Sequence, residues 1–230
     1  MRSNDITVVK LGGSHAGSAH LSRWLGVLAA CGGHVVLVPG GGPFADAVRK
    51  AQPKMGFDQA AAHHMALLAM EQYGRALVSL RPGLRLAGSI AAIRRVLRDG
   101  HVPIWAPTAM VLRAAYIPAS WDITSDSLAA WLAGRIGARR LLLIKQGGTF
   151  EGVVGAARLA SSNVVDKAFP RFLSRSGVQA AIIPASEHGA GAVQALRTGA
   201  DIGAHIDLQP RDALLSRPWP KSKHRAGAGR

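Results

Sequence analysis

Two short stretches constrain this chain more than anything else in it. In the first, Thr7-Val8-Val9-Lys10-Leu11 is an apolar run that carries one lysine. It breaks into Gly12-Gly13-Ser14 just ahead of a helical pattern. In the second, His34-Val35-Val36-Leu37-Val38 stops at Pro39 and the triple glycine Gly40-Gly41-Gly42. Pro43 then fits the first turn of a helix running toward Lys50. Each stretch reads as a buried strand feeding a helix through glycines. In a parallel sheet both glycine turns fall at the carboxyl edge, where ligands bind. Glycine lets the backbone approach a phosphate, and the N–H groups at a helix start point at it. Lys10 would add a full positive charge at that mouth. A lysine near a strand end is ordinarily a solvated edge residue, and a glycine pair is ordinarily a turn. A plain turn rarely uses three glycines, and two such junctions side by side weigh more than either alone.

The remaining chain continues the alternation. Residues 18–31 form a helix, with Leu21, Trp24, Leu25 and Leu28 on one face. Residues 52–56 read as a break, and 58–74 as a strong helix. His63 and His64 are adjacent on it, about 100° apart, so both cannot easily ligate one metal. One of them could face a substrate, although a structural or surface role is the better expectation for each. Arg75 and Arg81 flank an irregular stretch, 88–98 form a basic amphipathic helix, and 101–105 form a third strand. In Trp121-Asp122-Ile123-Thr124-Ser125-Asp126-Ser127, Thr124 or Ser125 can cap a helix that has Asp126 in its first turn. Leu128, Trp131, Leu132 and Ile136 mark its core face. Residues 141–144 form a fourth strand ending in Lys145-Gln146-Gly147-Gly148-Thr149. A helix starts at Asn163 and reaches Ser174, residues 179–183 form a strand, 189–197 a helix and 202–206 a closing strand. Strands alternate with helices throughout, which predicts an α/β fold: a three-layer αβα sandwich on a largely parallel central sheet.

Composition bounds the function classes. The 230 residues are 48% hydrophobic with mean hydropathy +0.15, so the body has a sizeable core. A single cysteine, Cys31, excludes an internal disulfide framework or a cysteine-cluster metal site. No signal peptide follows Arg2 and no apolar run spans a bilayer, so no membrane role and a cytoplasmic location are expected. The net charge is +15, of which residues 211–230 carry +5. That tail is rich in Pro, Gly, Arg and Lys and is expected to be disordered, which leaves residues 1–210 as one domain. The remaining +10 suits polyanionic metabolites such as ATP. It also permits weak nucleic-acid binding, but no nucleic-acid module is present, so solvation and steering are the expected roles. No P-loop of the G-x-x-x-x-G-K-[ST] type occurs.

In combination VVKLGGS, PGGGPFAD, WDITSDSLAAWLA and VVDKAF, in this order and approximate spacing, resemble the amino acid kinase superfamily over roughly residues 5–207. Within it, GGGPFADAVR, AAHHMALLAMEQYG and WDITSDSLAAWLA look most like the aminomethyl-furanmethanol phosphate kinase subgroup of methanofuran biosynthesis. The resemblance implies an ATP-dependent kinase with a small phosphorylated acceptor, Mg²⁺ held mainly by the nucleotide, no metal site built from side chains, and at least a homodimer. It implies that Lys10 bridges the transferring phosphoryl group, that Asp126 orients the catalytic lysines, and that Lys167 is the second lysine, on the nucleotide side. Gly12, Gly13 and Ser14 would line the phosphate path with Lys145 beside the nucleotide; Gly40, Gly41, Gly42 and Asp122 would hold the acceptor. Carboxylate or uridylate kinases of the superfamily are the alternative. The loop after the fourth strand, residues 145–152, has no aspartate where the family usually carries one. That departure supports a further alternative, a non-catalytic nucleotide- or oxyanion-binding subunit.

Overall fold

A computed structural model describes residues 6–208; the basic 211–230 tail lies outside the described residues. Five apolar runs become the parallel body of the sheet: β1 (Thr7–Leu11), β2 (Val35–Pro39), β4 (Val102–Trp105), β5 (Arg140–Lys145) and β7 (Gln179–Pro184). With β3 (Leu84–Ala87), β6 (Val153–Gly155) and β8 (Ala204–Asp207) they build an eight-stranded sheet ordered β3-β4-β2-β1-β5-β7-β8-β6. The first six strands in that order are parallel; β8 runs antiparallel to β7, and β6 is parallel to β8.

Side chains alternate across the sheet. Val8, Val36, Val38, Leu141 and Leu143 join one core, which takes in α4 (Ile90–Arg98), α6 (Ser125–Ile136) and α8 (Phe169–Ser176). Val9, Leu11, Val35, Leu37, Leu142 and Ile144 join the other, with α1 (Ala19–Ala29), α9 (Ala190–Thr198) and the second half of α3 (Gln59–Leu80). The result is the expected three-layer αβα sandwich. No helix among the described residues is long and apolar enough to cross a membrane.

Several boundaries differ from the sequence reading. The helix starting at the triple glycine, α2 (Gly42–Met55), runs through the expected break and carries Pro53 near its end. It stops only at Gly56, which is left-handed (φ 74°) and donates its N–H to Gln52 O at 2.9 Å. α3 passes through Gly74 to Leu80. There glycine is a close-packing residue: a Cβ on it would stand 3.1 Å from Ile104 Cγ2 and 3.3 Å from Leu86 Cδ2. β3 and β6 and the short helices α5 (Thr108–Leu112) and α7 (Ala156–Ser161) were not anticipated. The helix expected from Asn163 begins only at Phe169, because Asn163 is itself left-handed (φ 55°) and the next residues form turns.

Candidate active site

Lys10 on β1 and Lys145 at the end of β5 belong to adjacent parallel strands, with Lys10 opposite Leu143. Alternation puts Lys10, Leu143 and Lys145 on the face that α6 covers. Asp126, in the first turn of α6, meets both lysines there. Lys10 Nζ lies 2.8 Å from Asp126 Oδ1, and Lys145 Nζ donates to Oδ1 and Oδ2 at 2.9 Å each. The three side chains are 6%, 7% and 13% exposed for Lys10, Asp126 and Lys145. Burial by itself would raise the Asp126 carboxyl, but the two ammonium groups outweigh it and hold it at about 2. Burial drives Lys145 down to about 8, with Lys10 adding to the effect and Asp126 opposing it. Two cations on one anion leave this cluster a surplus positive charge in a poorly solvated place. It is therefore suited to an incoming anion.

A second carboxylate fixes α6. Thr124, the N-cap residue, makes no side-chain cap of its own. Asp166 instead accepts from Thr124 N (2.9 Å), Thr124 Oγ1 (2.9 Å), Ser127 N (3.0 Å) and Ser127 Oγ. It thus satisfies helix-start amides from a distant loop and holds the turn that carries Asp126. Burial raises the Asp166 carboxyl, as does the neighbouring Asp126 charge, while these hydrogen bonds pull the other way. His15 closes the turn after β1. It is fully buried, and its Nδ1–H donates to Gly12 O at 3.0 Å. Burial pushes His15 down to about 4, so it stays neutral beside the lysines and stiffens the loop without adding charge.

The two glycine loops touch backbone to backbone. A Cβ on Gly13 would lie 2.2 Å from Gly42 N, and one on Gly40 would lie 2.3 Å from Gly13 N, so side chains are excluded at both. Gly42 also needs its positive φ of 56° at the start of α2. Beside this contact opens a cavity of about 240 Å³, lined by Gly13, Ser14 and Gly40–Gly42 at one end and floored by Leu67, Met70 and Leu128. Thr124 and Ser125 at the start of α6 also line it, so the cavity adjoins the charged cluster.

The structure therefore gathers Lys10, Asp126 and Lys145, with Gly12 directly below Lys10 Nζ. A Cβ on Gly12 would be 3.3 Å from that nitrogen. Gly13, Ser14, Gly40, Gly41 and Gly42 come together along the cavity. Lys167 and Asp122 do not join the Asp126 pairs: they are 73% and 58% exposed and form an ion pair with each other at 3.5 Å. Lys167 belongs to a turn preceding α8, and its neighbour Asp166 is the residue that turns inward. Asp166, His15 and Arg49, which lines the cavity, were not among the expected site residues; His63, one of the two histidines of which one could face a substrate, lines the cavity as well. The signal for Asp166 was present in VVDKAF, where an aspartate follows two valines. Nothing in that motif says whether the acid or the lysine faces in. Among the described residues no three His, Cys, Asp or Glu side chains gather as a metal site. Asp126 is engaged by the two lysines, and Asp166 by the amides and hydroxyls of Thr124 and Ser127.

The family model described as "Amino acid kinase family" matches residues 5–148. A curated relative, [5-(aminomethyl)furan-3-yl]methyl phosphate kinase of Methanocaldococcus jannaschii, is 23% identical over 158 residues, covering 65% of this chain and 73% of the relative. Among solved structures, uridylate kinase from Archaeoglobus fulgidus superposes with a TM-score of 0.65 at 16% identity, covering 88% of this chain and all of that one. An isopentenyl phosphate kinase gives 0.55 at 17% identity over 87% of this chain and all of its own. At these identities the structural likenesses establish the fold.

Proposed function

We propose that this chain, which belongs to the amino acid kinase family, transfers the γ-phosphoryl group of ATP to a small phosphate monoester. Its relative and its fold neighbours are small-molecule kinases. The observation that carries the proposal is the buried Lys10–Asp126–Lys145 cluster, with its surplus positive charge, at the edge of a glycine-walled cavity. Phosphoryl transfer asks little covalent help of a protein; it needs alignment and neutralisation of spread negative charge. In this reading Lys10 and Lys145 neutralise that charge, and the backbone N–H groups of the two glycine loops orient the phosphates. Asp126 holds the lysines in place. A carboxyl held at about 2, with both oxygens engaged by ammonium groups, is a poor proton acceptor. A phosphate acceptor is already ionised near neutral pH and needs none. Mg²⁺ belongs to this reading as the counter-ion of the nucleotide phosphates, which bring it in with their own oxygens. The name of the relative makes [5-(aminomethyl)furan-3-yl]methyl phosphate the first acceptor to try.

The alternative of a non-catalytic binding subunit rested on the unusual 145–152 loop. Lys145 at the start of that loop is the second lysine of the buried cluster, which favours turnover. The test is ADP release from Mg-ATP with [5-(aminomethyl)furan-3-yl]methyl phosphate, UMP, isopentenyl phosphate and aspartate in turn. Turnover is expected with a phosphate monoester, reduced at least about 100-fold in Lys10→Ala. ATP binding without turnover of any acceptor in a wider panel of phosphate monoesters would replace this proposal by the binding-subunit reading.

A further inference from the structure

The lining of the cavity changes along the α2–α3 pair. α2 and α3 form an antiparallel hairpin joined at residues 56–58, so residues early in α2 lie beside residues late in α3. Gly42 packs on Tyr73, whose Cδ2 would be 3.1 Å from a Cβ there. Seven residues further along α2 is Arg49, and seven residues back along α3 from Met70 is His63. At 1.5 Å per residue each step is about 10 Å. One end of the cavity is thus the glycine wall, and the other is formed by Arg49, Gln59, His63 and Trp121, with Leu67, Ile123 and Leu128 between them.

The far end is rigid and close to neutral. Trp121 Nε1 donates to Gln52 Oε1 at 2.7 Å, and the Arg49 guanidinium sits 4.5 Å from the centroid of the indole ring. Arg49 also lies 4.0 Å from Asp46, which lines the same opening. His63 is half-buried, and its Nε2 is buried without a hydrogen-bond partner. Burial lowers its pKa, with neighbouring His64 adding to the effect, so the ring is uncharged at neutral pH. The other ionisable groups facing this end are Asp46 and Arg49 of α2. A buried imidazole nitrogen without a partner costs stability unless a ligand satisfies it.

We infer that the acceptor is a two-ended molecule: its phosphate lies against the glycine wall, a short apolar body spans the cavity, and a hydrogen-bonding group at the far end meets His63. This takes from the proposed function only that the cavity holds the acceptor. His63 is then the residue that tells acceptors apart at the end remote from the chemistry. A flat ring with an amine at one end and a phosphate at the other has this layout, and the relative's acceptor is of that type. Its amine can donate to the neutral imidazole and to the Asp46 carboxylate.

The experiment compares [5-(aminomethyl)furan-3-yl]methyl phosphate with (furan-3-yl)methyl phosphate, which lacks the far group. Both are titrated calorimetrically into the wild-type protein, His63→Leu and His63→Gln, and ADP release is followed in parallel. Unfolding midpoints confirm that the variants fold. In His63→Leu the affinity for the aminomethyl compound falls at least about tenfold, the worth of one buried hydrogen bond. The affinity for the truncated compound stays within about twofold, and His63→Gln recovers part of the loss. Equal effects on both compounds, no effect on either, or no binding of either to the wild-type protein would each overturn the inference. The two readings fail separately. A His63-dependent difference in binding without ADP release removes the kinase, while ADP release indifferent to His63 removes the two-ended acceptor.

Discussion

At Lys145 two effects oppose each other. Burial at the end of β5 disfavours the ammonium and Lys10 repels it, while the shared Asp126 carboxylate favours it. Burial and repulsion prevail, so the group titrates near about 8 rather than at its ordinary 10.5. In the pH window between those values the unfolded chain holds the proton that the folded one has released, so stability rises with pH there. Activity moves the opposite way, because neutralising phosphates needs the charged form. The expected result is that kcat/KM for ATP falls roughly tenfold per pH unit above about 8, and that Lys145→Arg, if active, loses this limb. A flat profile through pH values well above 8 would remove Lys145 from the charge-neutralising role. Much of this was within reach of the sequence. Lys10 and Lys145 each end an apolar run at a glycine turn, and both were read as phosphate-side residues. The resemblance named Lys167 as the second lysine, and a motif match orders residues along the chain only; in the structure the lysine that shares Asp126 with Lys10 is Lys145. Which lysine shares Asp126 is decided by strand adjacency: β5 lies next to β1 in a register that puts Leu143 opposite Lys10.

At the level of elements, the start of α6 matters most, since it brings Asp126 to the lysines and is itself held by Asp166 from the turn before α8. Asp166→Ala removes acceptors for two helix-start amides and two hydroxyls. It is expected to cost about 1–2 kcal/mol in urea unfolding, the range of a lost cap. It is also expected to lower kcat more than KM for ATP, because Asp126 would no longer be held in register. A loss of stability with kcat unchanged would leave Asp166 a cap and nothing more. The central strands were legible because burial on both faces writes them as unbroken apolar runs. The edges were not. β3 has only four residues, with an arginine between its two leucines, at one margin of the sheet, and β6 has only three residues at the other. The glycines misled in a particular way: Gly74 was taken as a helix end, but it is a contact between α3 and the sheet. Only the tertiary structure separates those two uses of the residue.

For the whole molecule, charge is the property the sequence states most openly, and its effect is on encounter rather than on fold. A net +15 on 230 residues draws polyphosphates from beyond contact distance. Raising salt from about 0.05 M to about 0.5 M shortens the screening length severalfold and is expected to raise KM for ATP roughly fivefold, with kcat nearly constant. An unchanged KM would confine the electrostatic contribution to the cluster itself. The architecture also divides the labour along the chain. The charged groups sit on β1, α6 and β5, at the centre of the sheet, whereas Arg49 and His63 both come from the single α2–α3 hairpin, contiguous in sequence and lying alongside. In the proposed reading, substitutions within one uninterrupted stretch of some forty codons would reshape much of the far end of the cavity, while Lys10, Asp126 and Lys145, which lie outside that stretch, are passed on unaltered.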